Sequence, residues 1–200
     1  MKRLAFLISG SGSDMQSVLD AADRGEIDGT PVLVISSNAE AYGLVRAAAR
    51  GIPTAVCARK DFGGDGEARD RAILRLLDEY KADLVILAGY LGILSPFAAA
   101  ALKNRAINIH PALLPKFGGK GFYGLNVHKA VLAAGETESG ATVHYVDAGT
   151  DTGQIIRQTR VPVEPGDTPE TLAARVLEAE HRLLPEVVAD LCGEKANKTL

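Results

Sequence analysis

The chain has 200 residues, 46% of them hydrophobic, with 22 Lys and Arg against 25 Asp and Glu and a net charge of −3. That length and apolar content fit one well-filled domain and exclude a disordered chain. The near balance of charge gives no electrostatic argument for nucleic acid as the main partner, and Cys57 and Cys192 stand in no ligand spacing for a metal.

The first apolar run, Leu4–Ile8, is too short for a signal peptide or a membrane span. The expected setting is therefore a reducing cytoplasm, with small molecules as partners and neither membrane nor nucleic acid. Further strand-like runs follow at Val32–Ile35, Thr54–Cys57, Leu84–Ala88 and Ala106–Ile109. Helix-like stretches separate them at Asp14–Arg24, Tyr42–Arg50, Glu67–Tyr80 and Pro96–Lys103. Short continuous apolar runs alternating with helices predict parallel strands buried on both faces and joined by right-handed crossovers. In the third helix Ile73, Leu74 and Leu77 make the apolar stripe, with Arg71, Arg75 and Asp78 turned outward.

The second half changes character. A Gly- and aromatic-rich segment, Lys116–Gly124, precedes a helix over Leu125–Ala134. Thr142–Val146 and Ile155–Val163 then form a hairpin through Asp147–Gln154. A last helix runs from Thr168 to Leu191, with capping oxygens at Asp167 and Thr168, and Pro185 is expected to kink or interrupt it. The fold class expected is α/β: a single-domain three-layer sandwich with a mixed, mostly parallel sheet and a Rossmann-like first half. Residues 1–192 make that domain and 193–200 a flexible tail.

Chemistry concentrates in four places. Asn108 and His110 stand two apart at the end of a strand, so both project to one side while Ile109 enters the core, and Pro111 ends the ladder. An amide N–H there can stabilise an oxyanion and an imidazole can move a proton; a capped strand end with a satisfied histidine fits the same residues. Ser9-Gly10-Ser11-Gly12-Ser13-Asp14 joins the first strand to a helix and suits a phosphate monoester, since neither GxGxxG nor a P-loop is present. Asp14 repels a phosphate there unless it turns away, for example to cap its own helix, and a plain capped turn is the alternative. The loop Asp147–Gly153 offers carboxylates; one placed near His110 would favour the imidazolium. Ala88–Pro96, after the fourth strand, can line a slot for a flat heterocycle, a plain strand-to-helix turn being the alternative. His144 is expected to support the carboxylate loop as a structural residue, and His128 and His181 to be structural or superficial.

Taken together, the run Asn108-x-His110-Pro111-x-Leu113-Leu114-Pro115 and the early Ser-Gly-Ser-Gly-Ser resemble the folate-dependent formyltransferases, in the branch that acts on glycinamide ribonucleotide. The resemblance covers Leu4 to about Leu191. It implies formyl transfer from 10-formyltetrahydrofolate, a co-substrate, to the amine of phosphoribosylglycinamide in purine synthesis, without a metal, by a monomer or homodimer. By the same resemblance Asn108, His110 and Asp151 are catalytic. Gly12, Ser13, Asp14 and Glu180 hold the ribonucleotide, and Leu91, Gly92, Ile93, Leu94 and Asn108 hold the folate. Members of the family often carry Asn at the position of Asp14, and some carry Arg at that of Gly92. No arginine stands in Gly63–Gly66, where a folate-binding one can occur, and Arg69 is the substitute the sequence offers. Three other activities remain in view: a formyltetrahydrofolate hydrolase, expected to carry an extra N-terminal domain; a methionyl-tRNA formyltransferase, expected to carry a C-terminal one; and a non-catalytic phosphate- or nucleotide-binding paralogue.

Overall fold

A computed structural model describes residues 1–193. Five parallel strands, β1 (Lys2–Ile8), β2 (Gly29–Ser36), β3 (Thr54–Val56), β4 (Leu84–Leu87) and β5 (Ala106–His110), are followed by antiparallel β6 (Glu138–Tyr145) and β7 (Ile155–Pro162). They form one sheet in the order β3-β2-β1-β4-β5-β6-β7. The helices are α1 (Ser13–Asp23), α2 (Tyr42–Ala49), α3 (Gly66–Glu79), α4 (Pro96–Ala101), α5 (Leu125–Ala133) and α6 (Pro169–Gly193).

Alternate strand residues feed two cores. Leu4, Phe6 and Ile8 pack with Met15, Val18 and Leu19 of α1 and with Leu172, Val176, Leu183 and Val187 of α6. Ala5 and Leu7 pack on the opposite face with Ile73 and Leu77 of α3 and Ala98 of α4. Each fully buried Leu, Ile or Phe here contributes about 1.5–3 kcal/mol, so the three layers hold one another. The hairpin expected after Tyr145 is present as β6 and β7.

Helix ends follow local chemistry, with two departures from expectation. Thr168 Oγ1 accepts from Thr171 N–H at 3.3 Å and Pro169 opens α6, a position where its missing N–H is harmless. α6 is not interrupted at Pro185 and runs on to Gly193. At α1 the N-cap is Gly12, in the left-handed region at φ 69°, and no side chain caps the helix, so Asp14 is not a cap. A Cβ on Gly12 would stand 2.7 Å from Gly43 Cα, so the close approach of α2 also demands glycine. Apart from Gly193, which ends α6, the expected tail lies outside the described residues.

Between β1 and β4 the strand order reverses direction, and the chain leaves both strands at their carboxyl ends into open loops. Open α/β sheets bind ligands at such a point. The switch to antiparallel pairing at β5–β6 then sets Asn108 opposite His144 and His110 opposite Thr142.

Candidate active site

A cavity of about 600 Å³ opens at this edge. Its floor is Asn108, His110, His144 and Asp151; one wall is Gly89–Leu94, another Gly119–Gly124, and Asp14 and Glu180 close the far end. Gly12 and Ser13 form the turn beside that end. The structure thus brings Asn108, His110, Asp151, Asp14, Glu180 and Leu91–Leu94 to one space.

The floor is a directed hydrogen-bond chain. His144 Nδ1 donates to its neighbour's carbonyl, Tyr145 O, at 2.9 Å, which leaves Nε2 bare. Asn108 Nδ2 donates to that Nε2 at 3.1 Å and to Asp151 Oδ1 at a longer 3.4 Å. Gly119 N–H donates to Asp151 Oδ2 at 2.9 Å. His110 Nε2 donates to Phe117 O at 2.8 Å, and its bare Nδ1 faces Asp151 Oδ2 at 3.5 Å. Thr142 braces the stretch after Pro111, accepting from Leu114 N–H and donating to Ala112 O at 2.6 Å.

Burial and neighbouring groups act in opposite directions on the floor. Burial pushes the His110 imidazole below its ordinary value and outweighs Asp151 and the Phe117 carbonyl, which both pull it up; His144 lowers it further. Burial thus favours the neutral ring, against the two oxygens that face its nitrogens. Burial raises the Asp151 carboxyl, but the neighbouring His144 and His110 rings and the Gly119 N–H together bring it below the usual carboxylate range. His144, expected to be purely structural, sits at the centre of the chain; its pairing opposite Asn108 depends on the β5–β6 register, which no local pattern reveals.

The wall Gly89–Leu94 is held from behind. Leu91 N–H donates to Ser9 Oγ at 2.8 Å, and Ser9 Oγ meets Ser37 Oγ at 2.6 Å. Arg69, 4% exposed, does not face the cavity: it pairs with fully buried Asp70 and donates to Ile93 O at 2.7 Å, while Asp70 accepts from Ser95 N–H at 2.6 Å. Arg69 tethers the loop and also lines a neighbouring cavity of about 580 Å³ on the other side of Leu91–Leu94. Leu91 and Ile93 are left 63% and 59% exposed, an apolar lip beside buried Leu94. At Gly92 a Cβ would lie 2.6 Å from the Tyr90 ring, so Tyr90 occupies the space a larger side chain would leave through. At the phosphate-type turn the near cation is Arg46, which donates to Ser11 O at 2.9 Å and stacks on Tyr42.

The fold thus brings an amide, two imidazoles and a carboxylate to the floor of one cavity, with a glycine-led helix turn at one end and an apolar lip at the other. The sequence matches the formyl transferase family over residues 2–188, and the chain belongs to that family. It is 41% identical to a phosphoribosylglycinamide formyltransferase, chloroplastic, of Arabidopsis thaliana over 97% of this chain, and 42% identical to the phosphoribosylglycinamide formyltransferase of Haemophilus influenzae over 94%. The chain spans 66% of the length of the plant relative and 86% of the bacterial one. The solved glycinamide ribonucleotide transformylase 1 of Symbiobacterium toebii superimposes with a TM-score of 0.90 at 41% identity, covering 96% of this chain and 88% of that one. The α/β sandwich expected from the sequence is the fold these relatives share. No helix among the described residues is long and apolar enough to cross a membrane.

Proposed function

We propose that this protein transfers the formyl group of 10-formyltetrahydrofolate to the amine of 5′-phosphoribosylglycinamide, a step of purine synthesis, in the cytoplasm. The observation that carries this reading is the convergence of Asn108, His110, His144 and Asp151 at the floor of a cavity. That cavity has an anion-type turn at one end and an apolar lip at the other. The names of the relatives supply the acceptor and the formyl group, and the folate donor is what the resemblance to the folate-dependent formyltransferases implies.

In this reading the phosphate lies on the α1 turn beside Arg46, the ribose reaches Asp14 and Glu180, and the pterin lies against Leu91–Leu94. The amine attacks the formyl carbon, the carbonyl π electrons move to oxygen, and an oxyanion forms. Asn108 donates to it, turning the hydrogen now spent on the longer contact to Asp151. His144 holds the amide by accepting the other hydrogen. Bare His110 Nδ1 takes a proton from the nitrogen that attacked, and Asp151 stabilises the transient imidazolium. Collapse breaks the bond between the formyl carbon and N10, and the proton passes to N10. Holding two substrates in this geometry, together with the oxyanion donor, supplies the acceleration without a covalent enzyme intermediate.

The test is a transfer assay with purified protein, phosphoribosylglycinamide and 10-formyltetrahydrofolate, followed by the folate absorbance change. Turnover that depends on both substrates supports the reading. Deformylation at the same rate without the acceptor, or no turnover at all, overturns it.

A further inference from the structure

A row of side chains crosses the sheet from the reacting centre to its outer edge. The β5–β6 register sets His110 opposite Thr142, and the β6–β7 register sets Thr142 opposite Gln158. Residues directly opposite one another share a face of the sheet. Neither Thr142 nor Gln158 lines the cavity. Thr142 is fully buried, whereas Gln158 is exposed on the last strand with its amide turned inward.

Each polar hydrogen in the Thr142–Gln158 pair has one destination. Thr142 spends its hydroxyl hydrogen on Ala112 O at 2.6 Å, so its oxygen accepts twice, from Leu114 N–H at 3.1 Å and from Gln158 Nε2 at 2.9 Å. Gln158 spends its other amide hydrogen on Leu114 O at 2.9 Å. Ala112 O, Leu114 N and Leu114 O are thereby clamped across the face of β6. Leu113 lies in the space Gly140 leaves there, where a Cβ would stand 2.8 Å from Leu113 Cδ2. The clamped turn begins the stretch that carries Phe117 and Gly119, whose carbonyl and N–H meet His110 and Asp151. Leu114 also passes the restraint on by contact: a Cβ on Gly118 would run into Leu114 Cδ2 and stand 3.2 Å from Asp151 Cβ.

We propose that Gln158 is a positioning residue for the transfer: by holding the 112–114 turn it keeps the Phe117 carbonyl on His110 Nε2 and leaves Nδ1 of that ring free to take the proton. The inference rests on the role given to His110 above. A carbonyl oxygen only accepts, so where Phe117 O sits decides which ring nitrogen carries the hydrogen. Two substitutions remove both amide donors at little change of volume. Glu, when ionised, brings only acceptors to Leu114 O and to a hydroxyl whose hydrogen is already spent. Leu brings no polar group at all. Either one frees the turn, and the hydrogen on His110 is then divided between the two ring nitrogens. Substrate binding is spared, because the walls and ends of the cavity are built from other residues.

Steady-state kinetics and imidazole nitrogen NMR test this on the wild type, Gln158→Leu and Gln158→Glu at neutral pH. The chain has 4 histidines, and His110 is identified by the signals lost in His110→Asn. In both variants kcat falls by about 10–100-fold, with KM for either substrate within about threefold, since a displacement on the order of 1 Å costs about that much in rate. His110 of the wild type shows the hydrogen on Nε2, and in both variants it shows a mixture of the two neutral tautomers. Circular dichroism matching the wild type shows the variants to be folded. A kcat within about twofold of the wild type, a loss expressed mainly in KM, or a slowed variant whose His110 spectrum is unchanged overturns the inference. Failure of both variants to fold also overturns it, since Gln158 is then a structural residue only. Absence of turnover in the wild type overturns the function proposed above, and the His110 spectra then decide this inference by themselves.

Discussion

Removing the Asp70 carboxylate should unfasten the folate-side wall of the cavity. Asp70 is fully buried, pairs with Arg69, and accepts the Ser95 N–H, so that Arg69 in turn grips Ile93 O. Asp70→Ala strands a guanidinium that is 4% exposed and leaves the Ser95 N–H without its acceptor. Breaking one side of a buried pair costs about 3–5 kcal/mol. At roughly 2–4 °C per kcal/mol for a chain of this size, Tm should fall by about 6–20 °C. Urea denaturation measures the loss directly. The double variant Arg69→Met, Asp70→Leu fills the same volume without charge and should recover most of the stability. It should not recover the KM for 10-formyltetrahydrofolate, since Ile93 has lost its tether. A loss below about 1 kcal/mol in Asp70→Ala, or a double variant no more stable than the single one, would refute the assignment of this pair as the wall's anchor.

Four other outcomes follow from the geometry. Asn108→Ala should lower kcat by about 10²–10³ while ribonucleotide KM stays within a few-fold, as read by steady-state kinetics; loss expressed mainly in KM would contradict its role toward the oxyanion. Because burial holds His110 below its ordinary value, kcat/KM should be flat through neutrality and fall only on acidification, where the base Nδ1 becomes protonated; a rise in activity on acidification would require the imidazolium instead. Asp14 is raised from 3.8 to about 6, so the native state keeps its proton longer than the unfolded chain and loses stability as pH rises between those values. Asp14→Asn should therefore be more stable than wild type above about pH 6, by about 1–3 kcal/mol, with the gap closing near pH 4, as measured by denaturation at several pH values. Gly153→Ala would put a Cβ 1.8 Å from Tyr145 O, where the returning hairpin crosses His144; it should cost both stability and turnover, and wild-type values for both would argue against that close approach.

Much of this was legible in the chain before the structure. The apolar runs marked β1, β2, β4 and β5 to within a few residues, because strands covered on both faces must be continuously apolar and flanked by turn residues. Asn108 and His110 were legible because a period of two places them on one side without knowledge of the fold. His144 was not, since its neighbour across the ladder is decided by the register of strands 36 residues apart. Arg69 was legible only as a candidate for the folate; the packing of α3 beneath the β4 loop shows that it pairs with buried Asp70 and reaches Ile93. The balance of burial and charge at His110 was not legible for a similar reason. Sequence reports the partner carboxylate, but not how much water the pair has lost.

The pairing of Asn108 with His144 has a consequence for how this protein can be altered. The two side chains meet because adjacent strands run in opposite directions, so their spacing is enforced by the backbone ladder and owes nothing to the length of the connection between them. Insertions or deletions in the Gly-rich stretch should accordingly spare the amide–imidazole couple, although they would disturb the Phe117 carbonyl and Gly119 amide that reach His110 and Asp151. Changes of length in that stretch can therefore be made without moving the Asn108–His144 couple from where the sheet puts it.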